Sequence, residues 1–80
     1  MVRKSSICLR QTLSENVKAF RKQRGLSQEE LAGICGLHRT YIGSIERLER
    51  NVTLSTLEVL SETLGVTVPE LLTKRGTPSA

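Results

Sequence analysis

Aromatic residues are almost missing from this chain: Phe20 and Tyr41 are the only two among 80 residues, and there is no tryptophan. The core must therefore be aliphatic. A protein that stacks successive nucleic-acid bases on aromatic rings is not expected, because one tyrosine makes no platform. Long apolar runs are missing too, so no membrane-spanning segment is expected. The basic opening Met1-Val-Arg-Lys-Ser-Ser6 is not followed by the apolar stretch of a secretory signal. Cysteine is scarce: Cys8 and Cys35 lie 27 positions apart, with a single histidine in the chain. That cannot furnish a zinc cluster. It reads as two reduced thiols in a cytoplasmic protein, with one disulfide arithmetically open. No alternating run rich in Val, Ile or Thr sits beside a turn pair, so strands are not expected. There is no His–carboxylate–nucleophile set and no glycine-rich phosphate loop. An enzyme is therefore not expected, nor a cofactor, metal or small-molecule ligand.

What is present is an ordinary globular balance, 38% hydrophobic and 25% charged, in a length that allows one domain. The net charge is +4, unevenly spread. Residues 1–25 carry Arg3, Lys4, Arg10, Lys18, Arg21, Lys22 and Arg24 against Glu15 alone, whereas residues 51–73 carry Glu58, Glu62 and Glu70 and no base. Such polarity fits either a polyanion met on one side or a solvated helix face.

Five helices are expected. Leu9, Leu13, Val17 and Phe20 form one stripe of an amphipathic helix ending at Gly25. Its start is set either by Ser6 or by a later capping box of Thr12 and Glu15, and the Leu9 position favours the earlier start. Ser27 and Glu30 have capping-box spacing, with Leu26 and Leu31 placed as a hydrophobic staple, and this second helix stops at Gly36. A third helix follows at once, with His38 near its cap and Tyr41, Ile42 and Ile45 as apolar positions. The fourth is capped by Thr53 or Ser55, turns Leu54, Leu57, Leu60 and Leu64 inward, and ends at Gly65. Thr67 and Glu70 repeat the capping box for a short fifth helix with Pro69 in its first turn, where no amide is required.

The second and third helices carry the functional signal. Counted from Gln28, small Ala32 is at position five, Gly36 at nine, and Ile42 and Ile45 at fifteen and eighteen. Two helices that cross closely need a small side chain at the first position and a left-handed turn at the second. The two isoleucines must be buried to leave the opposite face free for a groove. With Arg24-Gly-Leu-Ser-Gln-Glu-Glu-Leu-Ala32, Thr40-Tyr-Ile-Gly-Ser-Ile-Glu46 and Leu57 through Leu64-Gly65-Val66, the chain resembles the Cro/repressor-like (XRE-type) helix-turn-helix family over residues 9–73. Leu37-His-Arg-Thr-Tyr-Ile-Gly-Ser-Ile-Glu-Arg47 and Glu49-Arg-Asn51 are most similar to the controller proteins of restriction-modification systems. The resemblance implies an all-α, compact five-helix DNA-binding domain at residues 9–75. An N-terminal tail or arm (1–8) precedes it and a C-terminal tail (76–80) follows. It further implies a homodimer on a palindromic operator, probing the major groove with the third helix and regulating its own operon.

Residue by residue, Arg39 could fork onto a guanine or a phosphate, against a bland reading as an exposed helix charge. Thr40 offers a phosphate or thymine contact, or an added cap. His38 reads equally as cap or base contact, and Tyr41 as half-buried core or backbone contact. Gly43 suggests close approach to DNA or mere drift, and Ser44 a polar groove contact. Gln28 at a helix N-terminus suits a phosphate. Arg47 and Arg50 are expected on the sugar-phosphate backbone, and Asn51 there or as a turn former. The resemblance also implies a partly buried ion pair between Arg21 and Glu46. Cys35 is expected in the core. Val68 and Leu72 are expected at the dimer interface or, alternatively, inside the monomer. The competing functions are a phage-type repressor, an antitoxin-like autorepressor and a protein-interaction module on the same fold. The short segments outside Leu9–Leu72 argue against a toxin-wrapping antitoxin. The polar and basic outer face of the third helix argues against an interaction module.

Overall fold

The computed structural model describes the backbone of residues 3–74 and the side chains from Leu9 onward. Five helices account for most of it: α1 (Arg3–Gln23), α2 (Gln28–Cys35), α3 (Arg39–Glu46), α4 (Leu54–Leu64) and α5 (Val68–Leu72). Among the described residues there is no strand. α1 packs on α3 and α5, α2 on α3 and α4, and α4 on α5.

Local chemistry sets the boundaries. Ser27 caps α2 in a full capping box, its hydroxyl accepting from Glu30 N at 3.0 Å while Glu30 Oε1 accepts from Ser27 N at 2.8 Å. Thr67 and Glu70 do the same for α5, and Thr53, not Ser55, caps α4. α1 begins at Arg3, ahead of the favoured Ser6 start, so the backbone of residues 3–8, expected as a tail or arm, is helical. No glycine or proline in that stretch stops the helix. Thr12 accordingly lies inside α1 and starts nothing. The expected tail 76–80 and the Cys8 side chain lie outside the described residues.

The core is aliphatic: Leu13, Val17, Phe20, Leu31, Ala32, Ile42, Ile45, Leu57, Leu60, Leu64 and Leu71 are buried. A fully buried leucine such as Leu31 or Leu60 contributes about 1.5–3 kcal/mol. Two stripe residues depart from expectation. Leu54 is 76% exposed, not inward. It is the first residue of α4, and a helical side chain leans toward the N-terminus, so Leu54 overhangs the helix start, past the core layer. Leu9 is 49% exposed, at the rim of an open groove that Leu13, Val52, Leu57 and Leu72 also line. Cys35 packs partly buried against the core, its Sγ 3.4 Å from Thr63 Oγ1.

Candidate nucleic-acid interface

α2 and α3 are held at a fixed crossing by their turn. Gly36 takes φ 72°, the left-handed conformation that a β-carbon resists. Its neighbour Leu37 donates back to the Ala32 carbonyl at 2.8 Å. Ala32 is buried where the two helices meet. His38 caps α3 through Nδ1, which accepts from Thr40 N at 3.2 Å and also contacts the Thr40 hydroxyl. Ile42 and Ile45 are buried, so the face bearing Arg39, Thr40 and Arg47 is left to solvent.

Behind that face lies a buried polar network. Arg21 on α1 grips Glu46 at the end of α3 with two bonds, Nε to Oε2 at 2.7 Å and Nη2 to Oε1 at 3.0 Å. Their side chains are only 11% and 3% exposed. Arg21 Nη1 also donates to the Leu26 carbonyl at 2.9 Å, and Gln28 Nε2 donates to Glu46 Oε1 at 2.9 Å. Burial alone would raise the Glu46 carboxyl. The hydrogen bonds from Arg21 and Gln28, with the charges of Arg21 and Lys18, outweigh it and hold Glu46 below its ordinary range. Its hydrogen bond to Glu46 raises the Arg21 guanidinium, against the opposing effect of burial. One ion pair and one amide thus join α1, α2 and α3. Such a pair orients elements more than it adds net stability, because desolvation offsets much of the attraction.

The candidate residues separate into groups. Arg39 is open, its ion pair with Glu29 a long 3.8 Å between side chains 66% and 73% exposed, which leaves it free for another anion. Thr40 and His38 are exposed at the start of α3. Arg47 reaches Glu49 at 3.3 Å. Tyr41 is half-buried against the core, and the Arg50 guanidinium carbon lies 4.6 Å from its ring centroid, so the two form a stacked pair. Asn51 is exposed at the groove beside Arg50. Gln28 is half-buried and spends a donor on Glu46, so it is part of the network as well as of the α2 N-terminus.

Ser44 stands apart from the open face. It is buried, and its hydroxyl donates to the Thr40 carbonyl at 2.8 Å, turning it onto its own helix and away from the open face. Gly43 is buried as well: Arg47 and Gln28 occupy the space beside it. Val68 and Leu72 are half-buried against the core rather than fully on either side, with Leu72 in the groove wall.

Three contributors were not read from the sequence. Ser14 on α1 donates to the Glu46 carbonyl at 2.7 Å, fixing the end of α3. Leu48 takes φ 64°, and Glu49 N and Leu48 N return to the Ser44 and Ile45 carbonyls at 2.8 and 3.1 Å, closing α3. Glu49 holds Arg47. Only Ser14 left a sequence signal, a polar residue next to the α1 stripe.

The family model described as helix-turn-helix matches residues 17–71. The chain belongs to the helix-turn-helix family. It is similar to the control protein C.SmaI of Serratia marcescens, with 59% identity over 68 residues, covering 85% of this chain and 81% of that one. Among solved structures it resembles the restriction-modification controller protein C.AhdI from Aeromonas hydrophila. There the TM-score is 0.74 and the identity 37%, over 78% of this chain and 94% of that one. It also resembles the biofilm regulator SinR in complex with DNA, with TM-score 0.72 and 39% identity over 76% of this chain and 98% of that one. These relatives are regulators and control proteins, not enzymes. The family member described here is a DNA-binding transcriptional regulator with an all-helical fold. Among the described residues no helix is long and apolar enough to cross a membrane, and no three His, Cys, Asp or Glu cluster as for a metal.

Proposed function

We propose that this regulator is the cytoplasmic controller of a restriction-modification operon, acting as a homodimer on a palindromic operator. The observation that carries the reading is the two-sided α3. Its inner face is locked by Ile42, Ile45 and the Arg21–Glu46 pair, and its outer face presents Arg39, Thr40 and Arg47 to solvent. The likeness to C.SmaI and C.AhdI, both described as controllers, supports the operon assignment.

In this reading α3 enters the major groove. Arg39 reads a guanine edge, and Thr40 and His38 meet bases or phosphates at the helix start. Gln28 and the α2 N-terminus approach one phosphate strand. Arg47, the Tyr41–Arg50 stack and Asn51 lie along the other. Gly43 belongs to this face, while Ser44 supports it from within. Val68 and Leu72 provide the dimer contact, Leu72 through the apolar groove.

Selection from sheared genomic DNA at moderate salt, followed by sequencing of the bound fraction, tests it. Enrichment of a short palindrome upstream of the chain's own gene, with methyltransferase and nuclease genes alongside, is the expected result. A folded dimer that enriches nothing over input would remove the operator reading.

A further inference from the structure

Gly43 sits in the middle of α3 with an ordinary helical backbone and, unlike Gly33 in α2, has side chains crowding the place of a β-carbon. A β-carbon on Gly43 would lie 2.9 Å from Arg47 Nη1 and 3.4 Å from Gln28 Oε1. The first distance is closer than real β-carbon contacts come, and the second is at the near edge of ordinary contact. The bare backbone of Gly43 is therefore the berth on which the Arg47 guanidinium lies back along its own helix, one turn toward the N-terminus. On one side Glu49 Oε1 takes Arg47 Nη2 at 3.3 Å. On the other stands the Gln28 carbonyl oxygen, its amide aimed by the bond from Nε2 to the buried, Arg21-clamped Glu46. The order Arg21, Glu46, Gln28, Gly43, Arg47 leads from the buried ion pair to a side chain that is 56% exposed.

We propose that Gly43 is a positioning residue. It holds Arg47 in one orientation on the groove-facing surface of α3, so that Arg47 meets a DNA phosphate already ordered. The inference rests on the DNA reading given above and adds a residue that acts through another. A β-carbon here displaces only the far end of the Arg47 side chain, not backbone, so the substitution leaves the fold standing while it unseats the guanidinium.

The test is Gly43→Ala, Arg47→Ala and the double variant, assayed on the fragment enriched in the genomic selection. Gly43→Ala should melt no lower than wild type yet bind about tenfold more weakly, the scale of one charge-assisted contact. Its log affinity against log salt should be shallower by about one unit, as should that of Arg47→Ala. The double variant should lose no more than Arg47→Ala alone. In the free protein, relaxation of the Arg47 side-chain Nε should report an ordered guanidinium in wild type and a mobile one in Gly43→Ala. Unchanged affinity and salt slope in Gly43→Ala would overturn the proposal and leave the DNA reading intact. So would additive losses, which would mean that the methyl meets DNA directly. A wild-type protein that binds no DNA would remove the DNA reading and this inference together.

Discussion

Leu48 occupies a conformation that this chain elsewhere gives to glycine. α1, α2 and α4 close through Gly25, Gly36 and Gly65 at φ 66°, 72° and 71°, each followed by a backbone bond to the previous turn. α3 closes the same way through Leu48 at φ 64°. A side chain there costs about 1–2 kcal/mol in backbone sterics. Leu48 is 41% exposed and returns little of that through packing. Leu48→Gly should therefore leave stability unchanged or raise it by up to about 1 kcal/mol, although it removes a whole side chain. Thermal melts check this, and a large loss would show that Leu48 packs better than its exposure indicates. The three glycine stops were legible in the sequence because each follows a periodic run. Leu48 was not legible, since nothing about a leucine announces a left-handed backbone. Gly43 was legible only as an oddity: its meaning depends on where Arg47 and Gln28 come to lie, and Gln28 reaches it from another helix.

Between elements, two polar contacts carry more than their exposure in sequence suggests. The Arg21–Glu46 pair could be named from family resemblance, but no local rule links positions so far apart on α1 and α3. Removing Glu46 as Glu46→Ala leaves Arg21 buried without a counter-charge and should cost about 3 kcal/mol, read from urea unfolding. The same carboxyl makes stability depend on acid. Its folded value lies below the ordinary 4.5, so the unfolded chain takes up the proton first as pH falls. The stabilisation is complete above that ordinary value and is lost as pH drops through the folded one. Between about pH 6 and pH 3, Glu46→Gln should lose stability less steeply than wild type, though starting from a lower value. Parallel slopes would mean that other carboxylates govern the acid limb. Asn16 was missed altogether. It is buried on α1 and its Nδ2 donates to the Leu71, Thr73 and Glu70 carbonyls at 2.8, 2.9 and 3.2 Å, tying down the end of α5. A polar residue beside Val17 reads as surface until α5, more than fifty positions later, brings its open carbonyls to it. Asn16→Ala should cost about 1–3 kcal/mol, since the buried Leu71 carbonyl loses its donor and those of Glu70 and Thr73 lose theirs at the edge of the fold. A loss under about 0.5 kcal/mol, the range of surface substitutions, would show that water reaches them.

At the scale of the whole molecule, the proposed homodimer would add to what a single copy can read of an operator. The described molecule measures 37 × 27 × 19 Å. Its eight-residue α3 is about 12 Å long, enough to touch a few base pairs of one groove face. Good base contacts contribute about 1–3 kcal/mol each, so one α3 separates an operator poorly from a genome of competing sites. A two-fold pair squares that discrimination and makes it geometric, because the two α3 helices would have to stand about 34 Å apart, one turn of duplex. The uneven charge of the sequence, basic over residues 1–25 and acidic over residues 51–73, would draw DNA in without choosing a sequence. These two contributions are separable on the DNA itself. Inserting about five base pairs between the operator half-sites turns them to opposite faces of the duplex while leaving every base and phosphate contact available in each half. Specific affinity should then fall toward the non-specific level, and the residual binding should remain steeply salt-dependent. Operator affinity that survives the half-turn insertion would mean that each copy binds independently. Selectivity would then have to come from a single α3 and the shape of the DNA beneath it.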